Sequence, residues 1–152
     1  MANSSIKVAV GMSGGVDSSI AAYLLKESGY KVEGIFMKNW EEDDKDNCTS
    51  KEDYEDAKRI CKHLGIELNL VNFSDKYWTN VFEMFITELK KGYTPNPDIF
   101  CNREIKFKQY YDYTRSLNFD LIATGHYARK SNGEAPELHI PRDKIKDQTY
   151  LV

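Results

Sequence analysis

The chain has 152 residues, 21 of them basic and 24 acidic, for a formal net charge of −3. That length supports one domain with a real core, and the charge balance excludes a uniformly basic surface, so any nucleic-acid contact must come from local patches. Ten tyrosines argue against disorder, no apolar run approaches a membrane span, and three widely spaced cysteines favour reduced thiols over a disulfide framework.

In chain order, residues 6–11 form a β-rich run that Gly11 breaks, and residues 18–28 repeat apolar positions at helical spacing up to Gly29. Because the first strand starts within a few residues of Met1, no room is expected for a signal or transit peptide, and the expectation is a cytoplasmic protein. Residues 31–37 read as a second strand and 38–49 as a polar, acidic loop in which Glu41 to Asp46 form a solvated run. Tyr54, Ala57, Ile60, Cys61 and Leu64 give a helix over 50–64 that stops at Gly65. Residues 66–72 alternate as a strand, and 75–91 form a helix with Trp78, Val81, Phe82, Phe85, Ile86 and Leu89 on one side. Gly92, Pro95 and Pro97 punctuate the next stretch, 101–116 reads as helix, and Asp120 to Thr124 is an apolar strand closing on Gly125. Strands separated by helices predict a Rossmann-like three-layer α/β domain, a parallel sheet with helices on both faces. Ligands in such sheets bind beyond the carboxyl ends of the strands, so the loops after Val10, Met37, Phe73 and Thr124 are expected to share one rim.

The first of those loops carries the clearest chemistry. Gly11-Met12-Ser13-Gly14-Gly15-Val16-Asp17-Ser18 links a strand to a helix N-terminus, where backbone N–H groups and the helix dipole favour an anion. Gly14 and Gly15 can take positive φ and let a phosphate approach, and Ser13, Ser18 and Ser19 add hydroxyls. No lysine lies between Gly11 and Ser19, which excludes a Walker A loop, and glycines at 11, 14 and 15 do not fit G-x-G-x-x-G. The plain alternative is a glycine-rich turn that binds nothing. Ser13 to Ser18, S-G-G-x-D-S, instead resembles the pyrophosphatase loop of enzymes that adenylate a substrate and release pyrophosphate. Met37 stands where the adenine of a nucleotide on this loop would arrive. His126, beside Gly125 at the end of the last strand, suits either a structural role or a ligand contact.

A second segment, Thr94-Pro95-Asn96-Pro97-Asp98-Ile99-Phe100-Cys101-Asn102-Arg103-Glu104-Ile105-Lys106-Phe107, opens on two stiffening prolines. Asp98 and Cys101 are expected to share one site if a helix starts between them. Cys101 near a helix N-terminus would have a depressed pKa, with Arg103 and Lys106 favouring its thiolate further. Cys61 lies on an apolar stripe and reads as core packing, while Cys48 sits in the polar loop with no partner at metal-ligand spacing. C-x-x-C is absent, so zinc and iron–sulfur sites are not expected and no metal-binding residues are assigned.

Taken together and in this order, G-M-S-G-G-V-D-S-S, G-I-F-M-K-N-W, T-P-N-P-D-I-F-C-N-R-E-I-K-F, A-T-G-H-Y-A-R and K-D-Q-T-Y resemble the tRNA-specific 2-thiouridylase family across essentially the whole chain. The resemblance implies that Gly11, Met12, Ser13, Gly14, Gly15, Val16, Asp17 and Ser18 hold the ATP phosphates, with Met37 and Gly125 on the nucleotide. It implies that Asn96, Pro97 and Asp98 meet the target base, Asp98 assisting proton transfer, and that Cys101 is one of two catalytic cysteines. His126, Lys146, Asp147 and Gln148 would face the tRNA, and Mg²⁺ is expected on the phosphates. The implied reaction adenylates the C2 oxygen of a flipped-out wobble uridine and releases pyrophosphate. A cysteine persulfide charged by a sulfur-donor protein then supplies sulfur, and the second cysteine resolves it to a disulfide.

In that family the persulfide-carrying cysteine lies downstream, beyond a tRNA-binding central region and before a C-terminal β-domain. Residues 1–152 are accordingly expected to be the N-terminal ATP-pyrophosphatase domain of a longer enzyme, binding ATP without completing thiolation. Two other readings stay open: an ATP-pyrophosphatase-type synthetase with a different acceptor, and a non-catalytic ATP- or tRNA-binding module.

Overall fold

A computed structural model of the chain describes residues 3–40, 49–131, 133, 135 and 137–150. The acidic run at 41–46 and Cys48 lie outside the described residues. Four strands form one sheet: β1 (Lys7–Met12), β2 (Lys31–Lys38), β3 (Leu68–Asn72) and β4 (Leu121–Ala123), all parallel, in the order β3-β2-β1-β4. Helix α1 (Val16–Glu27) joins β1 to β2 and α2 (Thr49–Leu64) joins β2 to β3. Two longer helical stretches follow. α3 (Ser74–Tyr77) runs through a π-helical stretch (Trp78–Phe82) into α4 (Glu83–Lys90). α5 (Pro97–Cys101) runs through a second π-helical stretch (Asn102–Gln109) into α6 (Tyr110–Ser116).

Two cores follow from the period-2 alternation of β1. Val8, Val10 and Met12 point to one face and pack with Ala22 of α1 and Ala57 and Cys61 of α2. Ala9 points to the other, where Ile35, Val81, Cys101, Ile105 and Tyr110 are buried together. The three-layer α/β architecture read from the sequence is therefore the one observed, with Cys61 in a core as expected. Because β1 is followed on one side by β2 and β3 and on the other by β4, strand order reverses between β1 and β4. That reversal opens a crevice at the carboxyl ends of these two strands. The backbone N–H of Lys7 donates to the Asp120 carboxylate at 2.8 Å, which fixes β4 against the start of β1.

Three boundaries differ from the sequence reading by two or more residues. α1 begins at Val16 rather than 18, and β3 begins at Leu68 rather than 66. The helix expected over 101–116 begins at Pro97. Its start is set by Asn96, whose side-chain oxygen accepts from the Asp98 N–H at 2.9 Å, with proline in the first turn where no N–H is needed. The helix therefore starts before both Asp98 and Cys101, not between them. Past β4 the chain forms a small antiparallel pair, β5 (Arg129–Lys130) and β6 (Leu138–His139), then a 3₁₀ turn at Lys144–Lys146. Among the described residues no helix is long and apolar enough to cross a membrane.

Candidate active site

The turn after β1 is held open by its own side chains. The Ser18 hydroxyl, 3% exposed, accepts from the Ser13 N–H at 3.2 Å and donates to the Gly15 carbonyl at 3.1 Å. The Ser19 hydroxyl donates to the same carbonyl at 2.6 Å, and the Gly15 N–H donates to Ser13 Oγ at 3.3 Å. Ser18 and Ser19 thus build the loop, and the groups left to meet an anion are backbone N–H donors. Gly15 is the N-cap of α1 and no side chain caps this end, so the first-turn N–H groups face outward uncapped. Gly14 has φ +80°, and a Cβ there would lie 2.6 Å from the Asp53 carbonyl, so only glycine fits. This glycine-walled, uncapped terminus fits the phosphates of a nucleotide.

The crevice beyond β1 and β4 encloses about 220 Å³. Gly11, Met12, Ser13, Gly15, Val16, Asp17 and Ser18 line it, together with Met37, Gly125, His126 and Gln148. Most residues singled out for a nucleotide are therefore brought into one cleft, including Met37 at the end of β2. Gly14 backs the loop against Asp53. The loop after Phe73 does not take part, because Phe73 is buried in the core beneath α3.

Gly125 determines how closely the β4 loop meets α1. A Cβ at this position would lie 2.6 Å from the Ser18 backbone nitrogen and 2.9 Å from the Asp17 carbonyl carbon. The next residue fastens that loop to the long helix: His126 Nδ1 is 2.8 Å from Thr124 Oγ1, and Nε2 is 3.3 Å from Oδ1 of the buried Asn102. With an amide oxygen opposite Nε2, that nitrogen carries the proton and Nδ1 accepts from the threonine hydroxyl. Burial, with Lys106 nearby, lowers the His126 pKa, so the ring is neutral at pH 7. Its unfolded-state value is about 6.5. The unfolded chain binds the proton more readily, so this stability is fully present above that value and is lost as pH falls through the lower folded value. Urea unfolding of His126→Gln is expected to show a flatter loss of stability than the wild type as pH falls from 7 through about 6.5.

Asn96, Pro97, Asp98 and Cys101 do not line this cleft. They sit together at the start of the helix running from 97 to 116, on the layer that covers the other face of the sheet. Cys101 is 9% exposed, and burial raises its thiol pKa above the ordinary value, outweighing the lowering by Lys106. The expected depression does not occur: Cys101 lies at the end of α5, one turn in, and Arg103 is engaged by the Glu104 carboxylate at 2.8 Å rather than by the sulfur. Alkylation of Cys101 by iodoacetamide, followed by peptide mapping, is expected to stay slow at pH 7 and to accelerate only above about pH 9. Cys61 belongs to the opposite core, so the sheet separates the two described cysteines.

The segment after β6 folds back over the loop. Lys146 Nζ donates to Asp17 Oδ2 at 2.8 Å across 129 residues of sequence, and Gln148 Oε1 accepts from the Tyr127 N–H at 2.8 Å. The Asp147 carboxylate accepts from the Thr149 N–H and hydroxyl, at 3.0 and 2.6 Å, which holds its pKa down. Sequence alone does not point to Lys106, Thr124 or Asn102 for this site. Thr124 and Asn102 stand within quoted motifs, but their joint hold on His126 depends on the fold.

Among curated relatives, the chain is 59% identical over 148 residues to the tRNA-specific 2-thiouridylase MnmA of Pseudomonas entomophila, covering 96% of this chain and 40% of that protein. It is 56% identical over 155 aligned residues to the protein of the same name from Vibrio parahaemolyticus, covering 99% and 41%. The chain thus spans about 40% of the length of these relatives. Among solved structures, the U34-tRNA thiolase NcsA from Methanococcus maripaludis with its [4Fe-4S] cluster superposes at a TM-score of 0.61 with 30% identity, over 82% of this chain and 39% of that one. An NH3-dependent NAD synthetase from Campylobacter jejuni superposes at 0.50 with 24% identity, over 78% and 46%, a likeness of fold alone. The family model described as the tRNA methyl transferase HUP domain matches residues 6–152, covering every strand and helix of the sheet and its cleft, and the chain belongs to that family.

Proposed function

We propose that this chain binds ATP in the β1–β4 cleft and uses it to adenylate the C2 oxygen of the wobble uridine of tRNA, the activating half of a 2-thiolation. The observation that carries this reading is the uncapped N-terminus of α1, walled by Gly14 and Gly125 and sharing one cleft with Met37. The activity for which the curated relatives are named supports it. The family description names methyl transfer, but a transferred methyl group has no use for a triphosphate cradle. The backbone N–H groups of residues 16–18 would hold the phosphates, and Met37 and Gly125 the nucleoside side.

In this reading Asn96, Pro97 and Asp98 receive the flipped base. The uracil O2 lone pair forms a bond to the α-phosphorus, and the bond from phosphorus to the bridging oxygen breaks. Pyrophosphate leaves with that electron pair, and N3 gives up its proton, for which the exposed Asp98 carboxylate is the base. Sulfur added at C2 then expels AMP. His126 has both ring nitrogens engaged within the fold, so it serves to hold the β4 loop, with its ring edge and Lys146, Asp147 and Gln148 on the RNA side. Mg²⁺ would travel on the phosphates, since among the described residues no three His, Cys, Asp or Glu side chains gather to hold a metal.

Cys101 would handle sulfur. With Cys61 behind the sheet, its partner thiol would come from outside the described residues, and the persulfide from a donor protein. The chain, which spans about 40% of the length of its curated relatives, is read as the catalytic N-terminal domain of a cytoplasmic tRNA-modifying enzyme that activates uridine without completing thiolation. Incubating it with ATP and unmodified tRNA bearing uridine at the wobble position tests this. RNA-dependent pyrophosphate release is expected, and release that is absent or independent of the RNA would refute it.

A further inference from the structure

We propose that Lys106 is the cation the phosphate loop lacks: its ammonium contacts the phosphates of bound ATP and stabilises the charge that develops as pyrophosphate leaves. This rests on the ATP-activating reading above. The loop from Gly11 to Ser18 contains no basic residue, and its helix terminus supplies only the partial charge of a dipole. Asp17, at the same terminus, adds a negative charge that Lys146 cancels at 2.8 Å, so that pair offers nothing net to a polyanion. Lys106 is the one basic side chain among the residues lining the cleft.

Its surroundings set it apart from its neighbours on the helix. Arg103 and Lys108 both pair with Glu104, at 2.8 and 3.0 Å, whereas Lys106 is half-buried with no hydrogen bond or ion pair among the described residues. No neighbouring carboxylate holds its ammonium, which leaves it available for a ligand's counter-charge. Lys106 lies within the π-helical stretch from Asn102 to Gln109. A widened turn rotates every later side chain relative to a regular α-helix, and here Lys106 reaches the cleft while Ile105 stays buried in the core. The field of Lys106 is already felt at His126, whose protonated form it disfavours. The cleft thus keeps one positive charge, that of Lys106, and a neutral imidazole beside it.

In the step concerned, the bond from α-phosphorus to the bridging oxygen breaks as the bond to the acceptor oxygen forms. Lys106 gives and takes no proton. It offsets negative charge on the non-bridging oxygens and on departing pyrophosphate. The test compares wild type, Lys106→Met and Lys106→Arg by calorimetric titration with ATP and with adenosine, alongside RNA-dependent pyrophosphate release at saturating ATP. If the methionine variant does not fold, as judged by thermal unfolding, Lys106→Gln replaces it.

The methionine variant is expected to bind ATP about 10- to 100-fold more weakly, to bind adenosine within about twofold of wild type, and to release pyrophosphate at least about 100-fold more slowly. Arginine is expected to restore both phosphate-dependent quantities to within about fivefold. Unchanged ATP affinity, or equal weakening of ATP and adenosine, overturns phosphate contact. Weaker ATP binding with an unchanged release rate overturns the transition-state role. Wild-type chain that binds ATP but releases nothing on RNA fails the functional reading, whereas a wild type that does both and is indifferent to Lys106 fails this inference alone.

Discussion

Gly125→Ala is expected to lower ATP affinity by at least about 100-fold and to destabilise the fold by about 1–3 kcal/mol, the range for overpacking a close contact. The cause is space, not backbone conformation. The added carbon would lie 2.6 Å from the Ser18 nitrogen, 2.9 Å from the Asp17 carbonyl carbon and 3.0 Å from the Ser18 Cα, all backbone atoms of the first turn of α1. A flexible side chain could move aside; a helix terminus packed on β1 cannot. The β4 loop would have to lift, drawing His126 off Asn102 and parting the two walls of the cleft. Gly29 is the control: it has φ +85° and nothing within 4 Å of an added Cβ, so Gly29→Ala costs about 1 kcal/mol of backbone strain and leaves ATP binding unchanged. Calorimetric titration with ATP and thermal unfolding of both variants separate these outcomes. Gly125→Ala binding ATP within a few-fold of wild type would contradict the account of the cleft.

Asp98→Asn is expected to leave ATP affinity unchanged and to slow RNA-dependent pyrophosphate release by about 10²- to 10⁴-fold, the usual worth of a positioned base. Asp98 lies outside the nucleotide cleft, so binding has no reason to change. Its position is fixed by the Asn96 side chain on its backbone N–H at 2.9 Å and by Pro97, so asparagine keeps the helix start and removes only the charge. Cys101→Ser is the companion: release is expected within about threefold of wild type, because the thiol acts after activation. Its burial makes a folding check necessary, since an unpartnered hydroxyl there costs about 1–3 kcal/mol, and Cys101→Ala repeats the test without that hydroxyl. If Asp98→Asn releases pyrophosphate at the wild-type rate, Asp98 is not the base.

Much of this arrangement is legible in local sequence because local rules decide it. The break from Val10 to Gly11, the paired glycines and the helical repeat after Ser18 place the phosphate loop. Apolar spacing places Cys61 in a core. The start of the helix at Pro97 was also written locally, in Asn96 as a cap and proline in the first turn, but a helix reading anchored on its apolar residues begins too late. What escapes is whatever depends on register or on distant chain. A π-helical turn leaves no periodic mark in sequence, so Lys106 read as a neighbour of Cys101 rather than as part of the cleft. Cys101 follows a proline-stiffened turn, which argues for an exposed, activated thiol. Its burial comes from Val81 and Ile105, residues of two different helical stretches packed on the same sheet face. The Lys146–Asp17 pair joins residues 129 positions apart, and nothing near either one announces the other.

The pyrophosphate-release predictions rest on the proposal that the cleft directs ATP chemistry onto the C2 oxygen of uridine. Transfer of the uridine C2 oxygen to AMP is measured with tRNA carrying ¹⁸O at C2 of the wobble uridine, incubated with the chain and ATP. Inorganic sulfide stands in for the persulfide of a donor protein so that AMP is expelled, and mass spectrometry reads that AMP. AMP carrying one ¹⁸O is expected, because the labelled oxygen leaves carbon on the phosphorus. AMP released without label, with ¹⁸O retained in the RNA, would contradict the proposal.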